Sequence, residues 1–203
     1  MSASGRGRTA LATAAFLAAG VGAFFTETEG LQAFTSETAR RLAVARSPRP
    51  LPTLVLRDDR GERLTFPIPG RPMLVEFVYT SCPTLCVTLG ASFARIQDRL
   101  AEAGAPPLLQ LLSVSFDPVR DDAAALRAYA EAHGADPARW RVVVPEGTAE
   151  LGALLEAAGV VVLPDGAGGF VHNAALHAID REGRLAAIFD PDAIELAVEG
   201  LGG

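Results

Sequence analysis

Two short apolar runs, Met73–Tyr79 and Leu108–Phe116, constrain this chain most strongly. Each is too short for a globular helix and reads as a buried strand. Between them, Thr84–Ala103 places Leu85, Leu89, Phe93, Ile96 and Leu100 on one helical face, and Gly104 and Pro106-Pro107 end it. A buried strand, an amphipathic helix and a second buried strand require a sheet covered by helices.

The pattern continues on both sides. Leu54–Leu56 and Leu64–Phe66, joined by Asp58-Asp59-Arg60-Gly61, predict a hairpin. Helices are expected from Asp121 to His133, with Asp121 as N-cap, and from Thr148 to Ala158, stopped by Gly134 and Gly159 respectively. Trp140–Val144 reads as a strand between them. Ala174–Ile179 and Leu185–Phe189 form a second hairpin around Arg181-Glu182-Gly183, and Pro191–Glu199 closes the chain as a helix. The expected fold is α/β, with a central mixed sheet flanked by helices in a thioredoxin-like order. No Gly-rich phosphate loop follows any strand, so nucleotide binding has no support.

The N-terminal quarter is different in kind. Arg6 and Arg8 precede the 17 uncharged residues Thr9–Phe25, and Glu27 is the first charge afterwards. That length lies at the lower edge of a bilayer span, and the flanking charges put the N-terminus inside. Val21-Gly22-Ala23 has the small residues of a signal-peptidase site. Residues 1–26 therefore read as a signal anchor, the preferred form, or as a cleaved signal peptide. Residues 27–50 read as a connector, with a helix over Glu29–Ala45 (Leu31, Phe34, Thr38 and Leu42 in register) halted by Ser47-Pro48-Arg49-Pro50. Residues 51–203 form the folded domain, placed in the periplasm or outside, where cysteine oxidation is possible.

Charge excludes further classes. All 18 basic residues are Arg, against 24 acids. Residues 1–50 carry a net +3 and residues 51–203 a net −9. An acidic domain has no broad attraction for nucleic acid or anionic lipid.

The chemistry is concentrated in few residues. The chain has two cysteines, Cys82 and Cys86, in Tyr79-Thr80-Ser81-Cys82-Pro83-Thr84-Leu85-Cys86, where a strand gives way to a helix. Residues four apart share a helical face, and two thiolates on one metal lie within about 4.6 Å. A helix N-terminus also favours the thiolate. The pair suits a soft metal or a dithiol–disulfide cycle. A third ligand would come from His133, His172 or His177. His133 ends a helix and reads as a solvated cap whose positive charge suits the helix dipole. His177 lies within a strand and reads as a packed side chain. His172 precedes that strand, in a loop at the mouth of the sheet.

These motifs together resemble the SCO/SenC family of copper-binding proteins that assist cytochrome c oxidase assembly. Phe77–Cys86 looks like that family's aromatic approach to its cysteine pair. Ser113-Val114-Ser115-Phe116-Asp117-Pro118-Val119-Arg120-Asp121 looks like its strand-ending Asp-Pro segment. His172 stands eight residues before Asp180, the spacing of the family's ligand histidine. The resemblance implies copper held by Cys82, Cys86 and His172, passed to an oxidase subunit and received from a copper donor protein, by a monomeric domain without catalytic activity. Asp117 reads as a turn residue outside the site. The competing expectation is a thiol–disulfide oxidoreductase on the same fold. The usual reductase has two residues between its cysteines, where this chain has three, and Ala174 stands where reductases carry Pro. A peroxidase is a third class, and Cys82 lacks the sequence context it needs.

Overall fold

The computed structural model describes residues 3–28, 35–82, 85–105 and 110–202. Glu29, Leu31, Phe34, Pro83, Thr84, Pro106-Pro107 and Leu108, on which some expectations fell, lie outside them. The chain divides into two compact units, Met1–Arg46 and Ser47–Gly203.

The first unit contains helices α1 (Ala3–Glu27) and α2 (Ser36–Arg46). Leu11, Phe16, Leu17, Val21 and Phe24 of α1 are exposed. Among the described residues, no helix is long and apolar enough to cross a membrane. The end of α2 at Arg46 fits the proline-rich stop that follows it.

The second unit is an eight-stranded mixed sheet with a separate two-stranded ribbon. Its strands are β1 (Arg49–Pro50), β2 (Leu54–Asp58), β3 (Arg63–Phe66), β4 (Met73–Val78), β5 (Leu111–Ser115), β6 (Trp140–Pro145), β7 (Val162–Pro164), β8 (Phe170–His172), β9 (Leu176–Ile179) and β10 (Arg184–Phe189). The helices are α3 (Leu85–Glu102), α4 (Ala123–His133), α5 (Thr148–Ala158) and α6 (Ile194–Gly202). The main sheet runs β1-β10-β9-β4-β5-β6-β2-β3, and β7 pairs with β8 outside it. Strands β4, β5 and β6 are parallel, and β9 runs antiparallel to β4. Both expected hairpins are present, as β2–β3 and β9–β10.

Strand β4 is buried at every position, as is β5. Helices cover such strands because βα crossovers return across the sheet. Helix α3 packs on β4, β5 and α6, and α4 packs on β6. Leu89, Phe93 and Ile96 of α3 are fully buried, with Phe93 edge-on to Trp140 of β6 at 5.6 Å.

The structure corrects three local expectations. Asp122, not Asp121, is the N-cap of α4, and its carboxylate accepts the N–H groups of Ala124 and Ala125 at 3.0 and 2.9 Å. The closing helix begins at Ile194 rather than Pro191. His133 is not a solvated cation: its ring stacks on Tyr129 at 4.5 Å, and a Cβ on Gly90 would meet it at 2.6 Å. Burial pulls its imidazole below the ordinary histidine pKa, so desolvation outweighs the helix dipole. The dipole end is served instead by Gly134, whose φ of 67° closes the helix with its N–H on Ala130 and Glu131.

Candidate metal centre

The site lies past the C-terminal ends of the parallel strands, where loops converge in open α/β sheets. Strand β4 delivers Tyr79 to Cys82, β5 delivers Phe116 to Asp121, and β8 delivers His172.

Cys82 precedes α3 and Cys86 lies in its first turn, so the two are not on one helical face as their spacing suggests. The chain turns at Cys82, whose N–H donates to the Tyr79 carbonyl at 3.2 Å. The Cys82 sulfur then accepts the N–H of Cys86 at 3.4 Å, serving a free donor at the helix start. Both cysteines are buried and reduced, with no disulfide between them. Burial pushes the Cys86 thiol up, and the neighbouring Cys82 and Glu76 add to the effect. Desolvation is the largest of these effects and favours the protonated thiol.

His172 is not in a loop. It ends β8, where it pairs with Val162 of β7. Its ring packs against Phe116 at 5.1 Å, and its Nε2 lies 3.9 Å from the Cys86 sulfur. One metal bound to a sulfur and an imidazole nitrogen allows at most about 4.4 Å between them, from bonds of about 2.3 and 2.1 Å. The two atoms are therefore within reach of one shared metal. Burial lowers the His172 pKa, which keeps the imidazole neutral as a ligand must be. Its Nδ1 is buried without a hydrogen-bond partner. Among the described residues, no group of three His, Cys, Asp or Glu side chains is gathered to hold a metal ion.

His177 is elsewhere. It sits in β9, 1% exposed, with its ring edge-on to Phe77 at 5.2 Å. It is a packed strand residue, as its position implies. His133 is also outside the site, between Gly90 and Tyr129.

The supporting shell gives Asp121 a role the sequence did not show and adds Glu76, which sequence reasoning passed over. Asp121 is buried and accepts the Thr80 N–H at 2.9 Å, the Thr80 hydroxyl at 2.6 Å and the Ser115 hydroxyl at 2.6 Å. It fixes the loop that leads to Cys82. Asp117 turns the chain, its carbonyl accepting the Arg120 and Asp121 N–H groups, as expected. Its carboxylate also accepts a charged hydrogen bond from Arg120 Nε. Beneath the cysteines, Glu76 of β4 is fully buried. Its Oε1 accepts from the Ser113 hydroxyl and, at 3.4 Å, from Tyr129, while Oε2 is buried without a partner. Tyr129 also donates to the Cys86 carbonyl at 2.9 Å, which links the acid to the second cysteine's backbone. Burial raises the Glu76 pKa to about 8. The one charge within MLVEFVY was the signal that could have found it.

No curated protein matches the chain. Many solved structures share its fold, among them the following three. A SCO1/SenC family lipoprotein from Bacillus anthracis is 20% identical with a TM-score of 0.69, over 77% of this chain and 96% of that one. Bradyrhizobium japonicum ScoI, solved with copper bound, is 26% identical with a TM-score of 0.58, over 75% and 98%. BsSco, described as a member of the Sco family of cytochrome c oxidase assembly proteins with a disulfide switch, is 15% identical with a TM-score of 0.67, over 77% and 93%. The SCO1/SenC family profile matches residues 54–196, a stretch that runs from β2 to the start of α6 and includes both cysteines and His172. A thioredoxin-like sheet that brings Cys86 and His172 together inside that stretch leaves one assignment: the chain belongs to the SCO1/SenC family.

Proposed function

We propose that this chain binds copper through Cys82, Cys86 and His172 and carries it to a cytochrome c oxidase subunit during assembly. The 3.9 Å approach of His172 Nε2 to the Cys86 sulfur carries this reading. Two thiolates favour Cu(I), and the imidazole accommodates Cu(II). Loading displaces the thiol protons, and the neutral imidazole needs to lose none. Copper is the cargo and no bond of a substrate is changed, so the protein is not an enzyme. The copper-bound B. japonicum relative supports the choice of metal.

The same reading places the domain on the outer side of the cytoplasmic membrane. Arg6 and Arg8 before Thr9–Phe25, and the exposed apolar side chains of α1, support an N-terminal export signal, retained or cleaved, with the domain outside. A protease added outside that membrane is expected to digest the domain, and recovery of the intact chain from cytosol would overturn the placement.

A second reading, dithiol–disulfide exchange with a partner protein, has its own support. Cys82 stands before the helix, where a disulfide to Cys86 is sterically accessible, and BsSco is described as having a disulfide switch. Each cycle would oxidise the two thiols to one disulfide and pass two electrons and two protons to a partner disulfide.

Copper titration of the reduced domain, residues 47–203, tests the first reading. One copper per chain is expected. It should be lost in Cys82→Ser and Cys86→Ser, weakened in His172→Ala and unchanged in His177→Ala. Tight stoichiometric copper in the double-cysteine variant would overturn the ligand set. In cells at limiting copper, His172→Ala should keep a reducible disulfide yet fail to load the oxidase. Near-normal oxidase activity would favour the exchange reading.

A further inference from the structure

His172 rides on the β7–β8 ribbon, which stands apart from the main sheet. At its base, the Asn173 side chain accepts the Val161 N–H at 2.7 Å and donates to the Gly159 carbonyl at 3.0 Å. At its far end, the ribbon turns through Asp165–Gly169. The position of His172 relative to Cys86 therefore depends on what secures that far end to the body of the domain.

We propose that Arg120 is the positioning residue that latches the β7–β8 ribbon and so keeps His172 against Cys86. Its guanidinium touches three separate parts of the site. Nε donates to the Asp117 carboxylate in the loop after β5. Nη1 donates to the Gly168 carbonyl at the turn of the ribbon. Its Cζ lies 5.1 Å from the Phe170 ring centroid and 5.9 Å from that of Tyr79, close enough for a cation–π attraction.

The rings below Arg120 transmit the constraint. Phe170 and His172 are two apart on one strand and so share a face. Both pack on Phe116, at 5.6 and 5.1 Å. Phe170 is also edge-on to Tyr79 at 5.3 Å, and its N–H donates to the Tyr79 hydroxyl at 3.4 Å. A shift of the ribbon's turn moves Phe170, and with it the face that seats His172.

The opposing interpretation is an ordinary surface ion pair, since the Arg120 side chain is 42% exposed. Such pairs contribute little to stability. Here the fork holds a carboxylate and a carbonyl from two different elements while its Cζ lies 5.1 and 5.9 Å from two ring centroids. Lysine offers one point charge and cannot reproduce that arrangement.

This rests on Cys86 and His172 acting as a pair, which the proposed function also uses, but its first test needs no metal. In the reduced full chain, Arg120→Ala is expected to speed iodoacetamide labelling of Cys86 about tenfold, the scale of one charge-assisted hydrogen bond. At low urea the labelling should be insensitive to denaturant, the mark of a local release rather than global unfolding, and Arg120→Lys should fall between the two proteins. The second test is copper retention against a chelator. Arg120→Ala should lower it about tenfold, and should add nothing in a His172→Ala background, because both act through one ligand. Unchanged labelling, additive effects with His172→Ala, or faster labelling that rises with urea as steeply as global unfolding would each overturn the latch. If the wild type retains no copper while Arg120→Ala still speeds labelling, the latch stands and the copper reading falls.

Discussion

At the scale of single residues, Glu76 is an acid held wholly away from water. A carboxylate there would be charged at the centre of a fully buried strand, with one oxygen unpaired. Burial therefore raises its pKa from 4.5 to about 8. In the unfolded chain the same group ionises at the ordinary value. Between these two pKa values the folded state holds the proton that the unfolded state has lost, so stability falls as pH rises from about 4.5 to about 8. Below that window the group imposes no such cost. Glu76→Gln keeps the acceptor for Ser113 and Tyr129 and removes the charge. Urea unfolding from pH 5 to pH 9 should show a downward slope in the wild type and a flatter profile in the variant. Equal slopes would mean that Glu76 does not titrate in that window.

At the scale of elements, the longer periodic segments were legible and the short irregular ones were not. Helix α5 falls on Thr148–Ala158, its expected span, because Gly159 stops it by its own conformational freedom. Ribbon β7–β8 was invisible. Its strands are three residues each, too short to show a period, and their pairing spans the Asp165–Gly169 turn. The consequence was His172 placed in a loop. The Asp121-Asp122 pair was ambiguous for another reason. Either residue suits an N-cap by type, and only the position at which β5 ends decides which one turns inward. The structure assigns them unequal roles, and mutation should separate them. Asp122→Ala removes an exposed cap and should cost about 1 kcal/mol. Asp121→Ala strands the Thr80 N–H and two hydroxyls in the interior and should cost about 3 kcal/mol. Equal losses in urea unfolding would contradict the burial of Asp121 as the cause.

At the scale of the whole molecule, the division at Arg46 makes a prediction about what folds alone. The second unit contains the entire sheet, both cysteines and all three histidines. Its own core runs from Leu51 and Leu54 to Leu201. Residues 47–203 should therefore unfold in one cooperative urea transition. The N-terminal margin of that unit is narrow, however. Strand β1 is only Arg49–Pro50, yet it pairs with Leu185 and Arg184 and covers the edge of β10. Leu51 follows it, buried, with its N–H on the Gly183 carbonyl at 3.3 Å. A chain starting at residue 53 loses that edge pairing and the burial of one leucine, worth about 2 kcal/mol. It should still fold, because β2 to β10 are intact, but with a urea midpoint below that of residues 47–203. It also leaves β10 as an uncovered edge, so it should associate more readily at high concentration. Indistinguishable midpoints for the two chains would show that β1 is an appendage and that the folded unit begins beyond it.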